Sequence, residues 1–347
     1  MTMTNRQRMD RVAQGQAPDR VPFVPSIYEH GARLTDYPPG PVSRDPELMA
    51  QAALKAYELY QHDIVTVGID IYNIEPEALG CEVSKGEDGS IPGVKSHPLA
   101  HAGVLEPHEL AIPQPGPSNR LGVIEAACRE VYETIGDQVW VYACMSGPFS
   151  QAVELRGFEQ LILDTVEDPP RVHRLLERTT ELSRQQAARL SATGCGINLY
   201  ESWATIPLIT PALFQEYVVP YNHRVIEMIR GSYRTEPPAV IMGGNINLLV
   251  DFFIEVETSL MAVDYKADFD LIKARTAGTD IIIRGCVDPK LIERQDWDTL
   301  QESIDQLAQK SRDMSNFVWG CGCVTYDTSV ESLLRFKDMC LGASSGG

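Results

Sequence analysis

Short runs of apolar residues recur along the chain, separated by longer segments with helical spacing. The runs fall at Val21–Ile27, Asp63–Ile69, Val139–Cys144, Gly196–Tyr200, Ala239–Met242, Leu260–Val263, Asp280–Arg284 and Asn316–Gly320. Most lack period-two alternation, as expected of strands covered on both faces of a parallel sheet. Between them, Pro46 to Gln61, Arg120 to Ile135, Ala152 to Val166, Arg171 to Ala192 and Trp297 to Asp313 each gather apolar residues into a stripe at helical spacing. Asp168 before Pro169, Thr210 before Pro211 and Asp296 or Asp298 read as helix N-caps, and Thr328 to Glu331 fits a capping box. Strand followed by helix, repeated, predicts one (β/α)8 TIM barrel domain over residues 1–347. A Gly-, Pro- and His-rich excursion at about 80–115 interrupts it between the second and third strands, with a small hairpin expected at Cys81–Lys95. The competing architecture is an open doubly wound sheet, but the first strand leads into SIYEHGARL, which has no glycine-rich dinucleotide fingerprint.

Composition narrows the function. The chain has 347 residues, of which 44% are hydrophobic, enough for a substantial core. Its formal net charge of -18 argues against a nucleic-acid partner and against docking on an anionic membrane, both of which need a basic face. The first residues, MTMTNRQRMDRVAQG, contain no apolar secretory core, and no long apolar run follows. A soluble cytoplasmic protein is expected. Eight cysteines in a chain of this length do not suggest a disulfide framework, so position decides their role.

Barrel enzymes carry their chemistry at the C-terminal ends of the strands. Those places hold Tyr28-Glu29-His30, Asp70-Ile71-Tyr72-Asn73, Glu201-Ser202-Trp203, Gly243-Gly244-Asn245, Asp264-Tyr265, Cys286-Val287-Asp288 and Gly320-Cys321-Gly322-Cys323. The set predicts a polar, acidic cavity able to bind metal. Glu29 and His30 offer an acid/base or ligand pair, and Asp70 closes an apolar strand. Glu201 ends another, where a carboxylate reaches the mouth. Cys321-Gly322-Cys323 is too closely spaced for a zinc knuckle, and each of these thiols is also readable as a core residue. No serine elbow, P-loop or His-Glu-x-x-His is present.

Taken in order, several segments resemble the uroporphyrinogen decarboxylase superfamily, and within it the corrinoid-dependent methyltransferase-like branch. They are Pro18-Asp19-Arg20-Val21-Pro22, the run Asp63 to Asp70, Glu77-Ala78-Leu79-Gly80-Cys81, Gly147-Pro148-Phe149, Gly243-Gly244-Asn245, Val287-Asp288-Pro289 and Gly320-Cys321-Gly322. The resemblance covers almost the whole chain and implies a (β/α)8 barrel. The decarboxylases proper carry an arginine-rich segment after the first strand that grips the acid groups of a tetrapyrrole. Here that place reads Tyr28-Glu29-His30-Gly31-Ala32-Arg33. The methyltransferase branch holds zinc with a His-x-Cys pair and a Cys after the last strand. Cys321 matches the latter, whereas Ile241-Met242-Gly243 stands in place of the pair.

The resemblance thus implies transfer of a methyl group from a small O- or N-methylated compound to the cobalt of a corrinoid on a separate carrier protein. Members that act on methyl ethers use carboxylates among the metal ligands, which brings in Glu201 and, on the Pro211–Tyr217 helix pattern, Glu216. Zinc is then expected on Glu201, Cys286 and Cys321, with Cys323 or His30 completing the site, as Lewis acid on the ether oxygen. Glu29, His30 and Asp70 become the catalytic residues, and Tyr72, Asn73, Asn245 and Asp264 bind substrate. A homodimer is expected from the same resemblance. Two other readings remain: decarboxylation of a tetrapyrrole or related carboxylate with Asp70 hydrogen-bonded to pyrrole N–H groups, and a non-catalytic corrinoid or metabolite binder.

Overall fold

The structure is a computed structural model that describes residues 3–86, 90–101, 106–116 and 119–343. Among them, eight barrel strands follow one another at Ser26–Ile27, Ile64–Val67, Trp140–Ser146, Gly196–Tyr200, Ala239–Ile241, Leu260–Val263, Ile282–Val287 and Phe317–Cys321. All eight expected strands are present. The second to fifth pair in parallel in chain order, as do the sixth to eighth. The first pairs in parallel with Cys323–Val324, just beyond the eighth, and Phe23 bridges Trp319. Shorter links span the remaining seams. Asp63 N–H donates to the Phe23 carbonyl at 2.8 Å, and Ser259 N–H to that of Pro238 at 3.1 Å.

The seventh and eighth strands run further than their apolar runs suggest, so Cys286 and Cys321 lie within strands. The expected helix over Ala152 to Val166 is two helices, Pro148–Arg156 and Phe158–Glu167. Gly157 between them takes φ +83°, a left-handed conformation that ends the first helix. Its start moved back because Pro148 occupies the first helical turn, where its missing N–H costs nothing. Asp168, Thr210 and Asp296 cap their helices as expected. At the last helix, Val330–Ala343, the Ser329 hydroxyl accepts from Ser332 N–H, while Thr328 turns to Thr325. The excursion contains an antiparallel hairpin, Glu82–Val83 with Val94–Ser96, whose residues 87–89 lie outside the described residues.

The N-terminal helix Asn5–Ala13 is tied to the barrel by a buried charge network. Asp63, fully buried at the foot of the second strand, accepts from Arg8 Nη1 at 2.5 Å, Arg20 Nη1 at 2.8 Å and the Phe23 backbone at 2.7 Å. Asp19 takes the other edge of Arg8 at 2.7 Å. The Pro18-Asp19-Arg20-Val21-Pro22 motif is therefore structural here, joining the first strand to helix and second strand. Among the described residues no helix is long and apolar enough to cross a membrane.

Candidate functional site

The C-terminal ends of the strands enclose a cavity of about 150 Å³. Tyr28, Tyr72 and Tyr200 line it as one aromatic group, together with Asp264, Arg284 and Cys286. The tyrosines meet edge to face, Tyr28 against Tyr200 at 5.7 Å and Tyr72 against Tyr200 at 6.4 Å between centroids. The Tyr200 hydroxyl donates to that of Tyr28 at 2.9 Å, which leaves the Tyr28 proton for another acceptor. Burial holds both phenols above their ordinary range, so they are neutral donors at physiological pH.

Arg284 is the central charge. It points inward because a strand alternates its faces and Gly320 on the eighth strand, level with Cys286, leaves room for its stem. A Cβ at Gly320 would lie 2.6 Å from Arg284 Cγ. Arg284 is 8% exposed, its Nε has no hydrogen-bond partner, and no carboxylate among the described residues pairs with it. Cys286, two residues on, faces the same way. Burial raises its thiol pKa, and the Arg284 charge draws it partly back. Cys321 is fully buried, and burial pushes its thiol up to about 12. Cys323 is exposed at the mouth.

The other expected site residues are not brought together with these. Glu201 is fully buried and serves as a cap, accepting from Ser150 N–H at 2.8 Å, Ser150 Oγ at 2.7 Å and Phe149 N–H at 3.2 Å at the start of the Pro148–Arg156 helix. Glu216 is exposed on the outside, 3.7 Å from His173. His30 is buried between Tyr60, whose hydroxyl is 2.8 Å from Nε2, and the Thr325 carbonyl, 3.3 Å from Nδ1. Burial lowers its pKa to about 4, so it stays neutral. Asp70 lies in an ion-pair chain behind the mouth. Its Oδ2 accepts from Arg120 at 2.8 Å and its Oδ1 from Asn73 Nδ2 at 2.9 Å, while Asn73 also reaches the Pro92 carbonyl at 2.7 Å. Glu29 accepts from Tyr326 N–H at 3.2 Å on the rim, and Asn245 is exposed, accepting from Asn247 N–H at 3.0 Å. Of the expected set, Tyr72, Asp264, Cys286, Cys321 and Cys323 border the cavity.

The residues present do not fit zinc. Among the described residues no three His, Cys, Asp or Glu side chains converge on one point, and the cation already between the strands is Arg284. Glu201 is drawn to the helix N-terminus, whose N–H groups compete for its oxygens. Sequence reasoning missed Arg284 and Tyr200, and placed Tyr28 at a strand end without giving it a role. A charged residue in the run Ile281-Ile282-Ile283-Arg284-Gly285 was the available signal, because strands buried on both faces rarely hold an unpaired charge.

Behind the cavity, Glu75 is fully buried, with one oxygen accepting from Ser146 N–H at 3.2 Å and the other without a partner. Burial raises its pKa from 4.5 to about 7, as it does that of Glu201. The folded state then holds protons that the unfolded chain releases. These groups' contribution to stability is full below about pH 4.5 and is lost as pH rises through about 7. Glu75→Gln removes one such charge without changing shape. Thermal unfolding between about pH 5 and about pH 8 should show a flatter pH dependence in the variant, with a higher melting temperature than wild type at the alkaline end. Parallel curves would contradict the assignment.

A parallel barrel with a small cavity at its strand ends, its lining more apolar than polar, has the architecture of the TIM-barrel class. The family model described as uroporphyrinogen decarboxylase (URO-D) matches residues 4–340, and the chain belongs to that family. Among its relatives, the methylcobamide:CoM methyltransferase MtbA of Methanosarcina mazei is 25% identical over 339 residues, covering 94% of this chain and 95% of that protein. A uroporphyrinogen decarboxylase of Xanthomonas campestris is 22% identical over 342 residues, covering 92% and 90%. The solved structure of a methyltransferase from Methanosarcina mazei superposes with a TM-score of 0.83 at 20% identity, covering 99% of this chain and 98% of that one, which shows the fold. The family's members are enzymes, methyltransferases and decarboxylases alike.

Proposed function

We propose that this protein transfers a methyl group from a small methylated compound to the cobalt of a corrinoid presented by a separate carrier protein. The observation that carries the reading is the cavity itself. At about 150 Å³ it lies below the roughly 300–1,000 Å³ of clefts for drug-sized ligands, and it opens at the face where a carrier domain can dock. The kinship with methylcobamide:CoM methyltransferases, proteins named for transfer between a methylcobamide and CoM, supports methyl transfer with a corrinoid as one of the two reactants. Decarboxylation of a tetrapyrrole is less well served. Asp70, the carboxylate that reading needs, is fully buried and held by Arg120 and Asn73.

In this reading the chain binds and orients the donor, and the corrinoid's cobalt is the nucleophile. The tyrosines exclude water from the methyl group, and the neutral Tyr28 hydroxyl is placed to hydrogen-bond a substrate oxygen. Catalysis is mainly positioning, since holding two reactants in line lowers the barrier by removing their relative freedom. No step runs through a protein-bound metal. The test is anaerobic incubation with free cob(I)alamin and a panel of small O- and N-methylated compounds, followed by absorbance. Conversion to methylcob(III)alamin with at least one donor is the expected result. No conversion with any donor, alongside decarboxylation of uroporphyrinogen, would overturn the reading.

A further inference from the structure

Arg284 and Asp264 share one small cavity without being paired to each other or to any other charged side chain among the described residues. A guanidinium is charged at all physiological pH and carries donors in a fork that matches a carboxylate. Burying it with Nε unsatisfied is costly unless something else meets it. Strand register gives the two backbone positions different levels. Arg284 is level with Ala262 and Gly285 with Val263, the last residue of the sixth strand, so Asp264 stands just beyond that strand's end. The Arg284 stem rises toward the mouth, because a Cβ at Gly320, which is level with Cys286, would lie 2.6 Å from its Cγ; the guanidinium and the Asp264 carboxylate thus line the same cavity from neighbouring strands. Asp264 Oδ1 accepts from Lys266 N–H at 2.9 Å, while Oδ2 is directed toward Gly243, whose added Cβ would lie 4.0 Å away. That charge distribution is the complement of a zwitterion.

We propose that the donor is a small N-methylated zwitterion, an N-methylated amino acid or betaine, held with its carboxylate on Arg284 and its methylated ammonium at the level of Asp264 and the tyrosines. The inference rests on the methyl-transfer reading and names its substrate class. Tyrosine faces attract such a cation, and Asp264 neutralises it. This substrate class also accounts for a site without a Lewis acid. The C–N bond of a quaternary ammonium breaks with its electron pair staying on nitrogen, so a neutral tertiary amine leaves. Cob(I)alamin supplies both electrons of the new Co–C bond and becomes methylcob(III)alamin, and no proton is needed.

The experiment is calorimetric titration of the full chain with three probes: trimethylglycine, choline, which lacks the carboxylate, and 3,3-dimethylbutyrate, which lacks the positive charge. Wild type should bind trimethylglycine roughly tenfold or more tightly than either analogue. Arg284→Gln should lose that affinity by a similar factor, and Asp264→Asn should abolish the preference over 3,3-dimethylbutyrate. Gly320→Ala, which pushes on the Arg284 stem and leaves its charge in place, gives a second variant should Arg284→Gln fold poorly. It should weaken trimethylglycine at unchanged circular dichroism. Choline binding as tightly as trimethylglycine, or unchanged affinity in a folded Arg284→Gln or Gly320→Ala, overturns the proposal. Methyl transfer from other donors without binding of any zwitterion would overturn it while leaving the methyl-transfer reading intact. Zwitterion binding without methyl transfer would overturn the methyl-transfer reading, and with it the zwitterion's role as donor.

Discussion

Asp63→Ala is expected to lower folding stability by about 3–5 kcal/mol, the range for breaking a buried ion pair by removing one partner. Asp63 is the acceptor for Arg8, Arg20 and the Phe23 backbone, so its loss leaves the largely buried Arg8 cation without its deepest partner and opens the seam between the first two strands. Asp19→Ala removes a partly exposed partner of the same arginine and should cost nearer 1 kcal/mol. Urea unfolding of the two variants checks this, with the midpoint of Asp63→Ala shifted several times further. Equal small shifts would mean the network adds nothing to barrel closure. The mouth lies at the other end of the strands, so trimethylglycine binding by folded Asp63→Ala should be unchanged.

The second large effect is expected at Glu201. As a metal ligand, its removal would release metal and leave the fold intact. As the acceptor for two backbone N–H groups and the Ser150 hydroxyl, its removal should cost on the order of 3 kcal/mol or more, since each orphaned buried donor costs about 1–3 kcal/mol. Glu201→Ala should therefore melt well below wild type, with zinc content per chain unchanged. Wild-type stability with zinc lost on substitution would restore the metal-site reading.

The barrel was legible because its strands are covered on both faces, which writes each as an unbroken apolar run, and because proline and capping residues mark helix starts locally. What the runs could not give was strand ends. The seventh strand continues through Gly285 and Cys286 to Val287, where pairing with the eighth strand, not hydrophobicity, sets its length. The site was half legible for the same reason. Tyr72, Asp264 and Cys286 follow from knowing which end of a strand faces the mouth. The side chains of Glu201, His30 and Asp70 were drawn instead to a helix N-terminus, a tyrosine and an arginine distant in sequence. Arg284 escaped notice since its role depends on Gly320, a residue on another strand that makes room for it.

The central claim is that this barrel moves a methyl group from a small donor to cobalt. The most direct measurement follows carbon-13 from N-methyl-labelled trimethylglycine incubated with the protein and cob(I)alamin, by nuclear magnetic resonance. The account predicts that the label moves to a cobalt-bound methyl group while dimethylglycine accumulates in equal amount. Label remaining entirely on nitrogen, with the panel of other methylated donors equally inert, would contradict it.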